Sequence, residues 1–254
     1  MIKNNNDLMQ PRKNNNQMMN NFLQENSLSN TLGIRNAQFF SCNYDISAYK
    51  KYFFELLNIP FPTALTNAVE KRQAEFLAGR YAARKALSAM RIAADEVPTG
   101  TNRAPVWPEG VVASITHTNT AAVCAVALSK NLLYLGIDLE NVLTAAVANK
   151  LKANIVDTQE ASLLKTLPIS FEHALTLAFS AKESLFKALH PSVGYYFDFD
   201  TAKLTKVCFE TRSISLQLTK DLSTDFTSGL CLYGRFHFER SRVLTCIYQS
   251  NPQL

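Results

Sequence analysis

The feature that most constrains the fold is one long amphipathic segment, PISFEHALTLAFSAKESLFKALHP at 168–191, which predicts a helix. Ser170 is a suitable N-cap, and Pro191 marks the predicted end. At about 100° per residue, one narrow stripe contains the apolar side chains, namely Phe171, Leu175, Ala178, Leu185 and Leu189. Such a stripe needs an apolar partner surface, so the helix is expected to pack against another element.

Strand patterns occur on both sides of this helix. VVASITHT, AAVCAVAL and LYLGIDLENV precede it, and KLTKVCFETRSISLQL, GLCLYGRFHFE and RVLTCIYQ follow it as an alternating meander. Further helices are predicted over 64–90 and over 145–167, the second with a break near Val156 and Asp157. The order predicts a mixed α/β (α+β) protein and allows two similar lobes.

Composition is consistent with a folded chain and limits its environment. Of 254 residues, 47% are hydrophobic and 19% charged, and the apolar runs are too short to span a bilayer. The first residues lack the apolar core of a secretory signal, and five scattered cysteines show no metal-ligand spacing, so we expect a cytoplasmic protein. Residues 1–31 are expected to be a disordered Asn-rich tail, 32–141 an N-terminal lobe and 142–254 a C-terminal lobe.

Charged side chains on the predicted strand and helix suggest a metal site. Asp138 and Glu140 alternate with apolar residues and so share one strand face, and Glu183 lies on the helix flank. Three carboxylates could form the all-oxygen site that Mg²⁺ prefers, while Lys182 and Lys187 would hold phosphates or accept a proton. The alternative is a solvated strand face, a snorkelling Lys182 and an ordinary Glu183–Lys187 surface pair.

Two further positions carry weaker signals. His117 follows a strand between two hydroxyl residues, a place suited to a phosphate contact, although a lone histidine is more often structural. The helix predicted over 64–90 is basic and contains Gly79, which suggests close backbone approach there. A basic helix and a net charge of +5 also allow a nucleic-acid-binding protein, but the basic run lacks interleaved aromatic residues and no binding motif occurs.

Taken together, RAPVWP, SITHT, GIDLE and LTLAFSAKESLFKAL resemble the 4′-phosphopantetheinyl transferases in order and spacing. Within that family they are most similar to the surfactin-type group and its enterobactin-associated type. The resemblance implies two α/β lobes related by pseudo-two-fold symmetry, with the active site between them. It implies transfer of 4′-phosphopantetheine from coenzyme A to a serine of an apo acyl, aryl or peptidyl carrier protein, releasing 3′,5′-ADP.

The resemblance also implies roles for individual residues. Catalytic positions are Asp138, Glu183 and Lys187; Asp138, Glu140 and Glu183 correspond to the Mg²⁺ ligands. Coenzyme-binding positions are Arg72, Arg80, Arg103, Thr116, His117, Lys182 and Lys187, with Arg72 and Arg80 expected at the 3′-phosphate. Thr116 stands where the family usually has serine, which keeps the hydroxyl.

Partners and pathway follow from the same resemblance. A monomer is expected that uses coenzyme A and a carrier protein, with no nucleic acid and no transmembrane segment. Siderophore synthesis of the nonribosomal peptide type is the expected pathway. The alternatives are a transferase for fatty acid or polyketide carriers and a relative that binds coenzyme A without turnover.

Overall fold

The computed structural model describes residues 17–26, 32–94, 96–100 and 103–252. Two antiparallel sheets organise these residues, with strand orders β1-β2-β4-β3 and β5-β9-β8-β7-β6. The first sheet contains β1 (Leu23–Asn26), β2 (Ala37–Tyr44), β3 (Val111–His117) and β4 (Ala121–Leu128). The second contains β5 (Leu132–Asn141), β6 (Ala202–Cys208), β7 (Ser213–Leu218), β8 (Cys231–Glu239) and β9 (Arg242–Ser250).

One long helix covers each sheet. The helices are α1 (Phe53–Leu56), α2 (Glu70–Ala89), α3 (Ala145–Ile155), α4 (Thr158–Lys165) and α5 (Phe171–Val193). Helix α2 packs on β2 and β4, and α5 packs on β5 and β9. The predicted mixed α/β fold is confirmed, as is the break between α3 and α4 near Val156 and Asp157.

Two predicted helix ends were wrong. Helix α2 begins at Glu70 and not at 64, because Thr63–Leu65 forms a separate 3-10 turn and Val69 is extended. Helix α5 continues through Pro191 to Val193 and ends at Gly194, whose φ of +80° is the left-handed conformation that commonly terminates helices. One error concerns the start of a helix and the other its end, and propensity is a weak guide at both termini.

Part of the expected disordered tail belongs to the fold. Residues 17–22 are helical, and β1 pairs with β2, which places Leu23 opposite Tyr44. Phe22 is fully buried and stacks on Phe53 with 5.3 Å between ring centroids. The tail prediction is therefore wrong for 17–26, while 1–16 and 27–31 lie outside the described residues.

Gly136 lets helix α5 lie directly on strand β5. A Cβ atom at this position would meet the backbone of Ser184 and Ala188, with the Ala188 Cα only 2.9 Å away. Any larger residue would push the helix off the strand. The glycine of GIDLE thus brings the α5 residues next to Asp138. The approach at Gly79 is less tight, since a Cβ atom added there would lie 3.2 Å from the Ile115 side chain.

The two sheets meet along β3 and β5. The Ser114 hydroxyl accepts a hydrogen bond from the Ile137 amide at 3.1 Å, and the Thr116 hydroxyl accepts one from the Leu139 amide at 3.0 Å. A core cluster that includes Val123 and β5 side chains fills the space beside this contact. Strand β5 thus pairs with β9 and also contacts β3, and a lobe boundary after residue 141 stays a prediction.

The cysteines form no disulfide in the described structure. All five thiols are free, and Cys42, Cys124 and Cys246 are buried in the cores. Across the described part of the chain, every helix is too short or too polar to cross a bilayer.

Candidate active site

Asp138 lies at the contact between the two sheets, with its side chain buried. Its Oδ1 accepts hydrogen bonds from the Lys187 ammonium at 2.7 Å and from the Thr116 hydroxyl at 3.2 Å. Its Oδ2 is also buried and has no hydrogen-bond partner among the described residues. An unpaired buried carboxylate oxygen is costly unless it has a ligand, so this atom marks the site as a candidate for binding one.

Two more carboxylates surround this aspartate. Burial, with Asp138 and Glu183 nearby, raises the pKa of Glu140 to about 7, although Lys187 opposes the change. Burial and the Asp138 charge also raise the pKa of Glu183, again against Lys187. The negative charge of this group therefore exceeds what the single lysine balances. A positively charged ligand would relieve this excess.

The donor set fits a hard divalent cation. Mg²⁺ prefers carboxylate oxygens and usually keeps several waters, so few protein ligands suffice. Asp138 offers a free oxygen, and Glu140 and Glu183 are partly exposed beside it. No three side chains in the described ranges converge closely enough to enclose an ion as they stand, so binding would require small side-chain movements.

Lys182, one of the predicted coenzyme-binding residues, has its ammonium fully paired within the fold. Its ammonium lies 2.8 Å from Glu160 and 2.8 Å from the Ile155 carbonyl, and it donates to the Phe199 carbonyl at 3.1 Å. Both charged side chains are 3% exposed. Three acceptors use all three ammonium protons, so no donor is left for a phosphate. The snorkelling alternative is wrong as well, because the charge stays buried.

Glu160 explains why this buried charge is tolerated. Its carboxylate also accepts hydrogen bonds from the amides of Leu204 and Asp157, and with Asp157 it forms a capping box at the start of α4. Burial lowers the pKa of Lys182, and the ion pair with Glu160 opposes this change. Lys187 pairs with Asp138 across the helix–strand contact, in place of the Glu183–Lys187 surface pair that was the alternative to a metal site.

Thr116 also differs from its predicted role. Its side chain is 3% exposed, and its hydroxyl bonds with Asp138 and Leu139 rather than facing the cavity described next. His117, the next residue, does line that cavity. Burial lowers the pKa of His117; Glu75 opposes this shift, whereas Arg72 adds to it.

Four predicted coenzyme-binding residues line one cavity of about 340 Å³, which we call the arginine cavity: Arg72, Arg80, Arg103 and His117. Arg80 is 9% exposed, stacks on Phe76 at 4.5 Å and donates to the Thr99 hydroxyl at 3.1 Å. Its Nε is buried without a hydrogen-bond partner in the described structure. Burial lowers its pKa to about 10, which leaves it charged at neutral pH. A second cavity of about 470 Å³ shares Arg80 and Arg103.

Sequence reasoning missed one charged residue of the arginine cavity. Glu75 is buried in its wall, 3.6 Å from Arg72 and 3.9 Å from Lys71. The only signal in the sequence was a carboxylate among basic residues on α2, spaced three and four positions from them. By pairing with two of these cations, Glu75 reduces the net charge at the cavity entrance.

Several basic residues of α2 are paired within the fold. Arg84 donates to the carbonyl groups of Leu57 and Asn58, and Lys85 pairs with Glu25 at 2.8 Å. Arg80 is buried as well, whereas Lys71 and Arg72 pair with Glu75 and keep 52% and 40% of their side chains exposed. Nucleic-acid binding needs accessible lysines and arginines that can neutralise several phosphates.

Comparison with known proteins agrees with this geometry. Residues 61–127 match the 4′-phosphopantetheinyl transferase N-terminal domain, and residues 134–239 match the 4′-phosphopantetheinyl transferase superfamily. These two ranges contain every candidate residue named above.

Individual relatives show the same family. Enterobactin synthase component D of Salmonella typhi is 37% identical over 177 residues, covering 69% of this chain and 71% of the relative. The Escherichia coli protein of that name is 42% identical over 135 residues, covering 53% and 63%. The 4′-phosphopantetheinyl transferase Svp of Streptomyces mobaraensis is 37% identical over 142 residues, covering 55% and 57%. The chain therefore belongs to the 4′-phosphopantetheinyl transferase superfamily.

Proposed function

We propose that this chain transfers 4′-phosphopantetheine from coenzyme A to a serine of an apo carrier protein and releases 3′,5′-ADP. The proposal includes aryl and peptidyl carriers of nonribosomal siderophore synthesis, which the names of the enterobactin synthase relatives support. The observation that supports it most is the Asp138 carboxylate, which has one oxygen bonded to Lys187 and the other without a hydrogen bond in the described structure. It lies next to strand β3, whose last residue, His117, lines the arginine cavity.

The arginine cavity suits the nucleotide end of coenzyme A. Three guanidinium groups can pair with the charges of a molecule that carries a pyrophosphate and a 3′-phosphate, and the imidazole can add a hydrogen bond. Arg80 is held by Phe76 and Thr99, so it needs little reorganisation to bind an anion. We assign Arg72 and Arg80 to the 3′-phosphate, Arg103 to the adenine side and His117 to the pyrophosphate.

Asp138, Glu140 and Glu183 would hold Mg²⁺. When bound, the ion supplies charge neutralisation on the pyrophosphate and helps align it for in-line displacement. Within the chain, Lys187 provides a cation next to the same carboxylate and can contact the phosphate whose charge increases as the bond breaks. Lys182 takes no part, because its protons are already used.

The reaction requires no nucleophile from this chain. The carrier serine oxygen forms a bond to the phosphorus that bears pantetheine, and the bond from that phosphorus to the bridging oxygen breaks. The serine proton must leave at the same stage, and Lys187 and Glu140 are the two groups of the chain that we consider as acceptors. Lys187 donates to Asp138 as an ammonium and would have to lose a proton first, so Glu140 is the group that can accept it directly. Glu140 can act as a base where it binds Mg²⁺ through water and not directly, because its carboxylate then keeps a free oxygen.

The remaining predictions concern partners and location. A net charge of +5 would favour encounter with an acidic carrier protein. A monomeric state and a cytoplasmic location remain predictions. Fatty acid or polyketide carriers are the alternative acceptors. The two possibilities differ only in which carrier proteins the enzyme modifies.

Intact-mass spectrometry of carrier proteins tests the function. Apo aryl, peptidyl, fatty acid and polyketide carriers are incubated separately with the enzyme and coenzyme A, with Mg²⁺ or with EDTA. We expect a gain of about 340 Da on aryl or peptidyl carriers, the mass of a serine-linked phosphopantetheine, only when Mg²⁺ is present. If only fatty acid carriers were modified, the proposed siderophore pathway would be wrong. If no carrier gained mass, the proposed reaction would be wrong.

A further inference from the structure

We propose that Thr116 is a positioning residue for the Asp138 carboxylate and makes no contact with coenzyme A. This proposal rests on the proposed function, since it concerns the aspartate to which we assign metal binding. It reverses the role that resemblance to the family implied for Thr116. It also explains how one hydroxyl can serve both the contact between the sheets and the active site.

The hydrogen bonds at Thr116 have only one consistent direction. The Leu139 amide can only donate, so the Thr116 oxygen accepts from it at 3.0 Å. The hydroxyl proton is then free to point at Asp138 Oδ1, 3.2 Å away. With 3% of the side chain exposed, no other acceptor competes for that proton from solvent. The threonine therefore presents a fixed donor to the carboxylate.

This donor sets which carboxylate oxygen is available. Thr116 and Lys187 both hold Oδ1, so Oδ2 remains the oxygen without a hydrogen bond in the described structure. Hydrogen bonds to a metal-ligating carboxylate commonly fix its orientation and tune its affinity. Without Thr116, Asp138 could rotate about its side-chain torsions and lose that preference for Oδ2.

Ser114 provides a matched comparison within the same strand. It lies two residues earlier, and its hydroxyl accepts from the Ile137 amide at 3.1 Å in the same manner. Its recorded contact is with the backbone amide and not with a carboxylate. Ser114 and Thr116 thus both link β3 to β5 through a backbone amide. Only Thr116 also bonds to the Asp138 carboxylate.

The test compares Thr116→Val, Thr116→Ser and Ser114→Ala in the full chain. Valine keeps the shape of threonine but loses the hydroxyl, and serine restores it. Three quantities are measured for each: the Mg²⁺ concentration for half-maximal transfer, the coenzyme A affinity in EDTA, and the rise in melting temperature on adding Mg²⁺. The last two do not depend on turnover.

We expect Thr116→Val to need about tenfold more Mg²⁺ in both the transfer and the melting experiment. Its coenzyme A affinity in EDTA should stay within about twofold of wild type, because the side chain does not line the arginine cavity. Thr116→Ser should return to within about threefold of wild type in Mg²⁺ requirement. Ser114→Ala should melt at a lower temperature yet keep the wild-type Mg²⁺ requirement.

Two results would overturn the proposal. One is a Thr116→Val variant whose Mg²⁺ requirement equals that of Ser114→Ala, since the hydroxyl would then act only between the strands. The other is a loss of coenzyme A affinity in EDTA with unchanged Mg²⁺ requirement, which would restore a direct ligand contact. Failure of the proposed function would be seen separately, as absence of transfer by the wild-type chain. The Mg²⁺-dependent rise in melting temperature would still test the role of Thr116 in that case.

Discussion

Helix α5 carries two lysines that each pair with a buried carboxylate, and the two pairs are completed differently. In the closed pair, Lys182 and Glu160, three acceptors surround the ammonium and two backbone amides donate to the carboxylate. In the open pair, Lys187 and Asp138, the lysine is 28% exposed and the second aspartate oxygen has no hydrogen bond in the described structure.

The difference shows that burial and charge do not by themselves identify a functional group. Both carboxylates are buried, and both lysines lie on the same helix. The closed pair satisfies its hydrogen bonds within the fold, so a ligand could bind there only by breaking it. The open pair retains one unsatisfied oxygen and a partly exposed cation, so it can exchange partners without unfolding.

The largest effect that should separate the pairs is on catalysis. Asp138→Asn should lower transfer by about a thousandfold, because an amide is a poor ligand for Mg²⁺. Its melting temperature should not fall, since the change removes a buried charge with an unpaired oxygen. Carrier modification followed by intact mass, together with thermal unfolding, measures both quantities.

Glu160→Gln is the matched control for that variant. It should lose stability but keep turnover per folded molecule within about threefold of wild type. The assignment of Asp138 would be wrong if Asp138→Asn turned over within about tenfold of wild type at saturating Mg²⁺.

The next effect is on stability and concerns the lysines. Lys182→Met should lower the free energy of unfolding by about 3–5 kcal/mol, because Glu160 would remain buried without its cation. Lys187→Met should cost less, about 1–3 kcal/mol, because Asp138 would lose one hydrogen bond but keep the one from Thr116, and Lys187 is itself partly exposed. Urea unfolding of both variants makes the comparison, and equal losses would show that the two pairs do not differ as described.

A third, smaller effect concerns the metal itself. Mg²⁺ at about 100 times its dissociation constant should stabilise the wild-type fold by about 2.7 kcal/mol, because only the folded chain gathers the carboxylates. Thermal melting in Mg²⁺ and in EDTA measures this stabilisation. Asp138→Asn should abolish it and Glu160→Gln should keep it. Loss of the Mg²⁺ effect in Glu160→Gln, in a folded sample, would mean that the closed pair also supports the site.

The sequence predicted the parts of this comparison that depend on local periodicity. Strand alternation placed Asp138 and Glu140 together, the helical period placed Glu183 and Lys187 on one flank, and the motifs predicted the family that the comparisons confirm. Both elements occur as predicted apart from the end of α5. These features could be predicted because each depends on residues only a few positions apart in the sequence.

What the sequence did not predict depends on distant partners. The resemblance assigns Lys182 to the coenzyme, and no residue close to it in sequence indicates its partner Glu160, which lies on another helix. The capping box at Asp157 is the one local sign that this glutamate is structural. Phe22 and Leu23 are isolated apolar residues in a polar segment, so no periodic pattern predicted their burial. Pairing of Lys187 with Asp138 likewise depends on close packing at Gly136.

The smallest expected effect comes from a third lysine–carboxylate pair beside the closed one. Lys203 lies 2.6 Å from Asp157, but the two side chains are 41% and 36% exposed. Lys203→Met should therefore shift the melting temperature by no more than about 2 °C, with a smaller shift at high salt, because exposed ion pairs gain little over hydration. Thermal melting at low and high salt checks this. A loss as large as that of Lys182→Met would mean that proximity of charges, and not the completeness of buried hydrogen bonding, accounts for the stability of the closed pair.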